Sequence, residues 1–188
     1  MTPSPDLTST ATSEYLQDPD ILLNEIHADP DPVLGDANQD GQVHSDDDEF
    51  LEFVNIGEMD LDLSSWEIAD SVKIRFEFPE GTILKPGCGM VVFGGGAPQD
   101  NFGCSLIFTA GSLGLNNAGD NISLFDQYGE LKLSYQYGPE GAKNQSLTRS
   151  PDISGDLPLI LHSEAIGSNG ALYSPGFAVD GSEIGSCP

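Results

Sequence analysis

Val72-Lys73-Ile74-Arg75-Phe76-Glu77-Phe78 alternates apolar and charged side chains with a period of two. A strand sends successive side chains to opposite faces, so this stretch predicts a half-exposed β-strand. Pro79-Glu80-Gly81 turns the chain after it. Met90-Val91-Val92-Phe93 then reads as a core strand ended by Gly94-Gly95-Gly96, and Ser105-Leu106-Ile107-Phe108 as another. On the upstream side, residues 61–68 form a short strand carrying Trp66, and residues 49–55 a mostly buried one. The first strand is Ile21-Leu22-Leu23-Asn24-Glu25-Ile26. Asp29-Pro30-Asp31-Pro32 breaks it, because proline fixes φ and brings no amide donor to a ladder. Downstream, residues 121–126 and 131–137 predict a hairpin around Gln127-Tyr128-Gly129, with weaker strands at 145–149 and 159–162. No window repeats apolar residues at helical spacing over three turns. Strands recurring about every 8–12 residues, with turn signals between them, point to an all-β sandwich.

Composition agrees. Hydrophobic residues make up 38% of the 188, and 22 Gly with 13 Pro supply many turns. The formal net charge is -25, and the six cations (Lys73, Arg75, Lys85, Lys132, Lys143, Arg149) all follow residue 72. Such a chain repels phosphate, which excludes nucleic acid and anionic membrane surfaces as partners. No stretch approaches the roughly 20 apolar residues that cross a bilayer. Residues 1–19 read as a disordered Ser/Thr/Pro/Asp-rich leader, 20–178 as the sandwich and 179–188 as a tail.

Asp36-Ala37-Asn38-Gln39-Asp40-Gly41-Gln42-Val43-His44-Ser45-Asp46-Asp47 has the spacing of a calcium loop. Ca²⁺ takes six to eight oxygens, and an EF-hand-type loop offers them at positions 1, 3, 5, 7, 9 and 12 with Gly at 6. Asp36, Asn38 and Asp40 hold positions 1, 3 and 5. Gly41 is at 6, the Gln42 carbonyl at 7, His44 at 9 and Asp47 at 12. Seven carboxylates lie between Asp36 and Glu52 with no cation among them. Ca²⁺ is therefore the expected ligand, in a structural role. Because weak calcium sites fill only outside cells, the expected setting is secreted or cell-surface. The N-terminus lacks the basic-then-apolar layout of a signal peptide, so the native signal is expected to have been removed.

The sequence is similar to the lamin tail domain family, in its bacterial secreted branch. The resemblance rests on an ordered series over roughly residues 20–178. It begins with Asn24-Glu25, Gly35-Asp36-Ala37-Asn38 and Asp48-Glu49-Phe50-Leu51-Glu52-Phe53-Val54-Asn55. It continues with Leu63-Ser64-Ser65-Trp66-Glu67-Ile68-Ala69-Asp70 and Phe78-Pro79-Glu80-Gly81-Thr82-Ile83-Leu84-Lys85-Pro86-Gly87. Leu115-Asn116-Asn117-Ala118-Gly119-Asp120-Asn121-Ile122-Ser123-Leu124 and Ser174-Pro175-Gly176 complete it. It implies an immunoglobulin-like β-sandwich with the Asp-rich loop inserted between the first two strands. It also brings in Asp48 as a residue that closes the calcium site, instead of or beside Asp47. It implies an accessory domain of a secreted or surface protein, and the expected function is a non-catalytic module, monomeric, that contacts an unknown protein or cell-surface ligand. The alternative is a domain of an extracellular metal-dependent hydrolase or nuclease.

The remaining signals are weaker. Trp66 is expected in the core. Glu25 and Glu52, if buried, would pair with backbone or with metal. His27, His44 and His162 come with no nucleophile motif. Gly94-Gly95-Gly96 lacks the lysine and helix of a phosphate cradle and reads as a loop. Asn121 and Asn144 head glycosylation sequons read as chance. The cysteines Cys88, Cys104 and Cys187 allow a Cys88–Cys104 disulfide with Cys187 left over, although spacing alone does not fix it.

Overall fold

The computed structural model describes residues 15–99 and 101–185. Most of the expected leader therefore lies outside the described residues. The strands are β1 (Ile21–His27), β2 (Phe50–Asn55), β3 (Leu61–Asp62), β4 (Glu67–Ala69), β5 (Ile74–Glu77) and β6 (Ile83–Leu84). They continue with β7 (Gly89–Phe93), β8 (Leu106–Thr109), β9 (Asp120–Phe125), β10 (Leu131–Tyr137), β11 (Leu147–Thr148) and β12 (Ile160–Leu161). A six-stranded sheet runs β12-β11-β1-β2-β7-β8 and a four-stranded sheet runs β10-β9-β4-β5, with β3 and β6 paired apart. Among the described residues, β7 and β8 are the one parallel pair. Two short 3-10 turns, Pro139–Gly141 and His162–Glu164, are the only helical elements described, and no helix there is long and apolar enough to cross a membrane.

The expected strands are present with one revision. The run 61–68 is not one strand: Ser65 takes a positive φ of 57° and splits it into β3 and β4. That break swings Trp66 into the core, where Phe78 N–H donates to its carbonyl at 2.9 Å. β5 lies at the edge of its sheet, which explains its alternating sequence. Ile74 is 52% exposed, while Phe76 packs edge-on against the buried Phe78, 4.9 Å between ring centres.

The main core fills the space between the two large sheets. Ile21, Leu23 and Ile26 of β1 face Ile68, Ile122 and Leu124 of the four-stranded sheet. Leu23 and Ile26 can share a face only because the ladder slips between Leu23 and Glu25, leaving Asn24 as an extra residue. Such a bulge resets the alternation that would otherwise send Ile26 outward. The bulge turns Glu25 and His27 onto the opposite face of the sheet, across from Glu52 and Phe50.

That opposite face is also buried. Phe50, Val91 and Phe93 form a second cluster with Ala37 and Phe102, and Ile107 and Tyr173 pack against it. All six residues of β2 and all five of β7 are buried as a result. The covering layer comes from the acidic segment before β2, the loop after β7 and the chain beyond residue 165. Packing extends past both expected ends of the sandwich. Leu16 bridges to Ser134, Tyr15 stacks on Tyr135, and Val179 and Ile184 are buried.

The Cys88–Cys104 bridge that the sequence allows is not formed. Cys88 is disulfide-bonded, but not to Cys104, whose thiol donates to the Ile184 carbonyl at 3.6 Å. Cys187 lies outside the described residues.

Candidate functional site

The acidic loop is wound by its own side chains. Asp36 Oδ2 accepts from Gly41 N–H at 3.1 Å, Asn38 Oδ1 from Asp40 N–H at 3.0 Å, and Asp40 Oδ1 from Gln42 N–H at 2.9 Å. These short side chains bond backbone a few residues on, as Asp and Asn do in turns. Gly41 supplies the positive φ of 87° that the sharp turn needs. Asp47, with its side chain 38% exposed, stands 3.6 Å from His44 Nδ1. His44 Nδ1 in turn accepts from Asp46 and Asp47 N–H at 3.3 Å. Asp48 is fully buried, and both its oxygens are taken: Oδ1 by Asn38 N–H at 3.0 Å and Oδ2 by His44 N–H at 2.7 Å. Burial raises the Asp48 pKa above the usual range, the Asp36 charge adds to this, and the His44 and Asn38 amides oppose it. Asp48 thus braces the two ends of the loop through its backbone.

One oxygen is left over. Asp36 Oδ1 is buried and has no hydrogen-bond partner among the described residues. Buried polar atoms are rarely orphaned, so this one calls for an explanation. Among the described residues, no three His, Cys, Asp or Glu side chains form a group that could hold a metal. The loop's oxygens are a mixed set instead: carboxylates, the Asn38 amide and the Gln42 carbonyl.

The run Gly94-Gly95-Gly96 has a role that its sequence did not disclose. It is the platform on which the acidic loop lies. Gly95 N–H donates to the Asp47 carbonyl at 3.1 Å, Asn38 Nδ2 to the Gly95 carbonyl at 3.4 Å, and Ala97 N–H to Asp40 Oδ2 at 3.2 Å. A methyl on Gly96, at φ 72°, would overlap the Asn38 amide and stand 2.7 Å from Asp40 Oδ2. The approach is close enough that only glycine fits.

Behind this loop lies a buried polar knot. Glu25 and Glu52 face each other across β1 and β2, and both are fully buried. Glu52 accepts from Asn24 Nδ2 at 2.9 Å and from Gly176 N–H at 2.6 Å. Glu25 accepts from Ser146 Oγ at 2.5 Å, Ser174 N–H at 3.0 Å and Ser174 Oγ at 2.9 Å. Burial raises both carboxyl pKa values. For Glu52 the rise is larger, because the Glu25 charge adds to it, whereas His162, 4.0 Å from Glu25, pulls Glu25 back. His27 lies on the same face between Phe50 and Tyr173. Burial holds its imidazole neutral, with a pKa of about 3, against a weak pull from the Gln145 backbone, and neither ring nitrogen has a well-formed bond. Thus His162 meets Glu25 here, with His27 on the same face, whereas His44 stays on the acidic loop.

Ser174 Oγ also lies 2.9 Å from His162 Nε2, and His162 Nδ1 lies 2.9 Å from the Ala171 carbonyl. A nucleophile needs such a contact with a base. Here Glu25 binds the serine itself, hydroxyl and amide both, and His162 is fully buried. The arrangement ties down a chain segment rather than freeing an oxygen to attack.

Asn24, Glu25, Glu52 and Ser174-Pro175-Gly176 stand far apart in sequence, in three separate segments, and meet in this one knot. The family model described as Lamin Tail Domain matches residues 17–139. The chain belongs to the lamin tail domain family. Lamin tail domains are non-enzymatic immunoglobulin-like sandwiches, and this one has the expected all-β layers. No curated protein matches the chain. The matched span ends just after β10, yet Ser174 and Gly176, which cap the two glutamates, lie beyond it.

Proposed function

We propose that this lamin tail domain is a calcium-stabilised, monomeric interaction or adhesion module of a secreted or cell-surface bacterial protein, without catalytic activity of its own. The observation that carries the reading is Asp36 Oδ1, a buried acceptor without a donor at the head of an oxygen-rich loop. Ca²⁺ would supply the missing partner. Asp36, Asn38, Asp40, the Gln42 carbonyl and Asp47 are the oxygens offered to it. Asp48 would close the shell instead of or beside Asp47, and its bonds to the Asn38 and His44 amides brace the loop. The cation offsets mutual repulsion among carboxylates that have no Lys or Arg in their stretch of chain. Its stabilisation follows mass action, about 2.7 kcal/mol when free calcium is a hundredfold above Kd.

The test is a thermal melt of metal-stripped protein titrated with Ca²⁺ and, in parallel, Mg²⁺. A calcium-selective rise in Tm is expected. Asp40→Ala weakens calcium binding, and Val43→Thr, at an exposed position whose side chain offers the loop no ligand, leaves it unchanged. Equal calcium affinity in Asp40→Ala and the parent removes the assignment.

A further inference from the structure

A cavity of about 360 Å³ opens on the outer layer, between Gln39 of the acidic loop and the chain from Ser168 to Gly181. This lies within the range of roughly 300–1,000 Å³ typical of ligand sites. Tyr173 and Phe177 supply aromatic walls, and Gln39, Asn169 and Asp180 supply polar groups. No Lys or Arg lines it among the described residues.

The polar groups share one property. Gln39 Nε2 donates to the Asn101 carbonyl at 3.4 Å, and Asn169 Nδ2 donates to the Gly167 carbonyl at 2.9 Å. Asp180 Oδ1 accepts from Ser182 N–H at 3.0 Å and Ser182 Oγ at 2.6 Å. Each amide has turned one of its two donors away, and the other polar lining groups, the Ser168 and Ser174 hydroxyls, donate to the Ser163 carbonyl and to Glu25 Oε2. No hydrogen bond among the described residues reaches Gln39 Oε1, Asn169 Oδ1 or Asp180 Oδ2. The Ser182 bonds also hold the Asp180 pKa below its usual value, so this group is charged at neutral pH. The cavity therefore presents acceptors beside aromatic faces, on a chain of net charge -25.

Few ligands satisfy such a lining. A neutral sugar leaves the Asp180 charge unpaired, and an anion is repelled. A guanidinium or ammonium group brings several donors and no acceptor, and stacks on aromatic rings. The geometry points to this cavity as a docking site for an arginine or lysine side chain of a basic partner polypeptide. The charge of the whole module speeds the encounter, and the cavity selects the side chain.

The experiment is an NMR titration of ¹⁵N-labelled protein, at physiological salt, with three capped tripeptides: Gly-Arg-Gly, Gly-Lys-Gly and Gly-Glu-Gly. Lactose and free arginine serve as additional probes. Saturating shifts are expected at Gly181, Phe177 and the side-chain amides of Gln39 and Asn169, with the arginine and lysine peptides only. Asp180→Asn, at an exposed position, leaves the melting curve unchanged and weakens the arginine peptide at least tenfold. Phe177→Ala weakens it as well. Non-saturating shifts spread over the acidic surface overturn the proposal, as does undiminished binding by Asp180→Asn. Tighter binding of lactose, of the glutamate peptide, or of free arginine over the capped peptide overturns it too.

Discussion

Replacing Glu52 by glutamine should flatten the dependence of stability on pH. Glu52 is fully buried and its pKa lies well above 4.5, through burial first and the Glu25 charge second. The groups that face it are Glu25 across the ladder, Asp152 through the shared Asn24 amide, and His162 beyond Glu25. A carboxyl whose folded pKa is raised binds its proton more tightly folded than unfolded. Its contribution is fully present below pH 4.5 and is lost as pH rises through the folded value. The loss is at most about 1.4 kcal/mol per pH unit for one proton. For a domain of this size, that is roughly 3–6 °C of Tm per unit. His27 acts with the opposite sign: its depressed pKa removes stability as pH falls from 6.5 towards about 3. It is common to both proteins, as is Glu49, which burial raises to about 8, so the difference between the two curves reports Glu52 together with its coupling to Glu25. Glutamine mimics the neutral carboxyl and has nothing to ionise. Its amide disturbs the bonds to Asn24 and Gly176, which shifts the curve bodily without tilting it. The assay is Tm against pH from 5 to 9 for the parent and Glu52→Gln. Parallel curves would refute the reasoning, because they would mean that Glu52 titrates alike folded and unfolded.

Three further outcomes follow from the packing. Gly96→Ala forces a methyl against Asn38 and Asp40, so calcium affinity, by isothermal titration, should fall at least tenfold while far-UV circular dichroism stays unchanged. Trp66→Ala should cost about 3–5 kcal/mol in urea unfolding, the usual loss for a large buried aromatic. Cys104→Ser should leave the Cys88 disulfide intact in non-reducing peptide mapping, since Cys104 does not take part in it.

The layers of the fold were legible because alternation and turn residues are local signals. The edge strand β5 sits where the period of two put it, and β9 and β10 flank the turn that marked their hairpin. β1 and β2 were found as runs of apolar residues, but the reason both faces are buried was hidden: the second face is covered by segments distant in sequence. β6, two residues long, carries too little pattern to be seen, and β3 was read as one strand with β4. In the candidate site, Asp36, Asn38, Asp40 and Gly41 were legible from spacing, since the loop folds on itself. The glycine platform was not, because a Gly run gives no sign of what lies against it. Glu25 and Glu52 stood out as acids in apolar strands, but their partners Ser146, Ser174 and Gly176 lie more than a hundred residues away. The Asn24 bulge, which aims Glu25 at them, has no signature in the sequence that sets it apart from regular alternation.

The double covering of the six-stranded sheet also governs which changes the chain can accept over time. A strand with one wet face tolerates drift at every second position. β2 has no wet position, so its six residues form an unbroken block in which a new charge or a loss of volume meets packing on both sides, and its one acid, Glu52, is held by specific partners. Variation is pushed outward, to the loops of the covering layer, where recognition residues can diverge while the strands beneath them stand still.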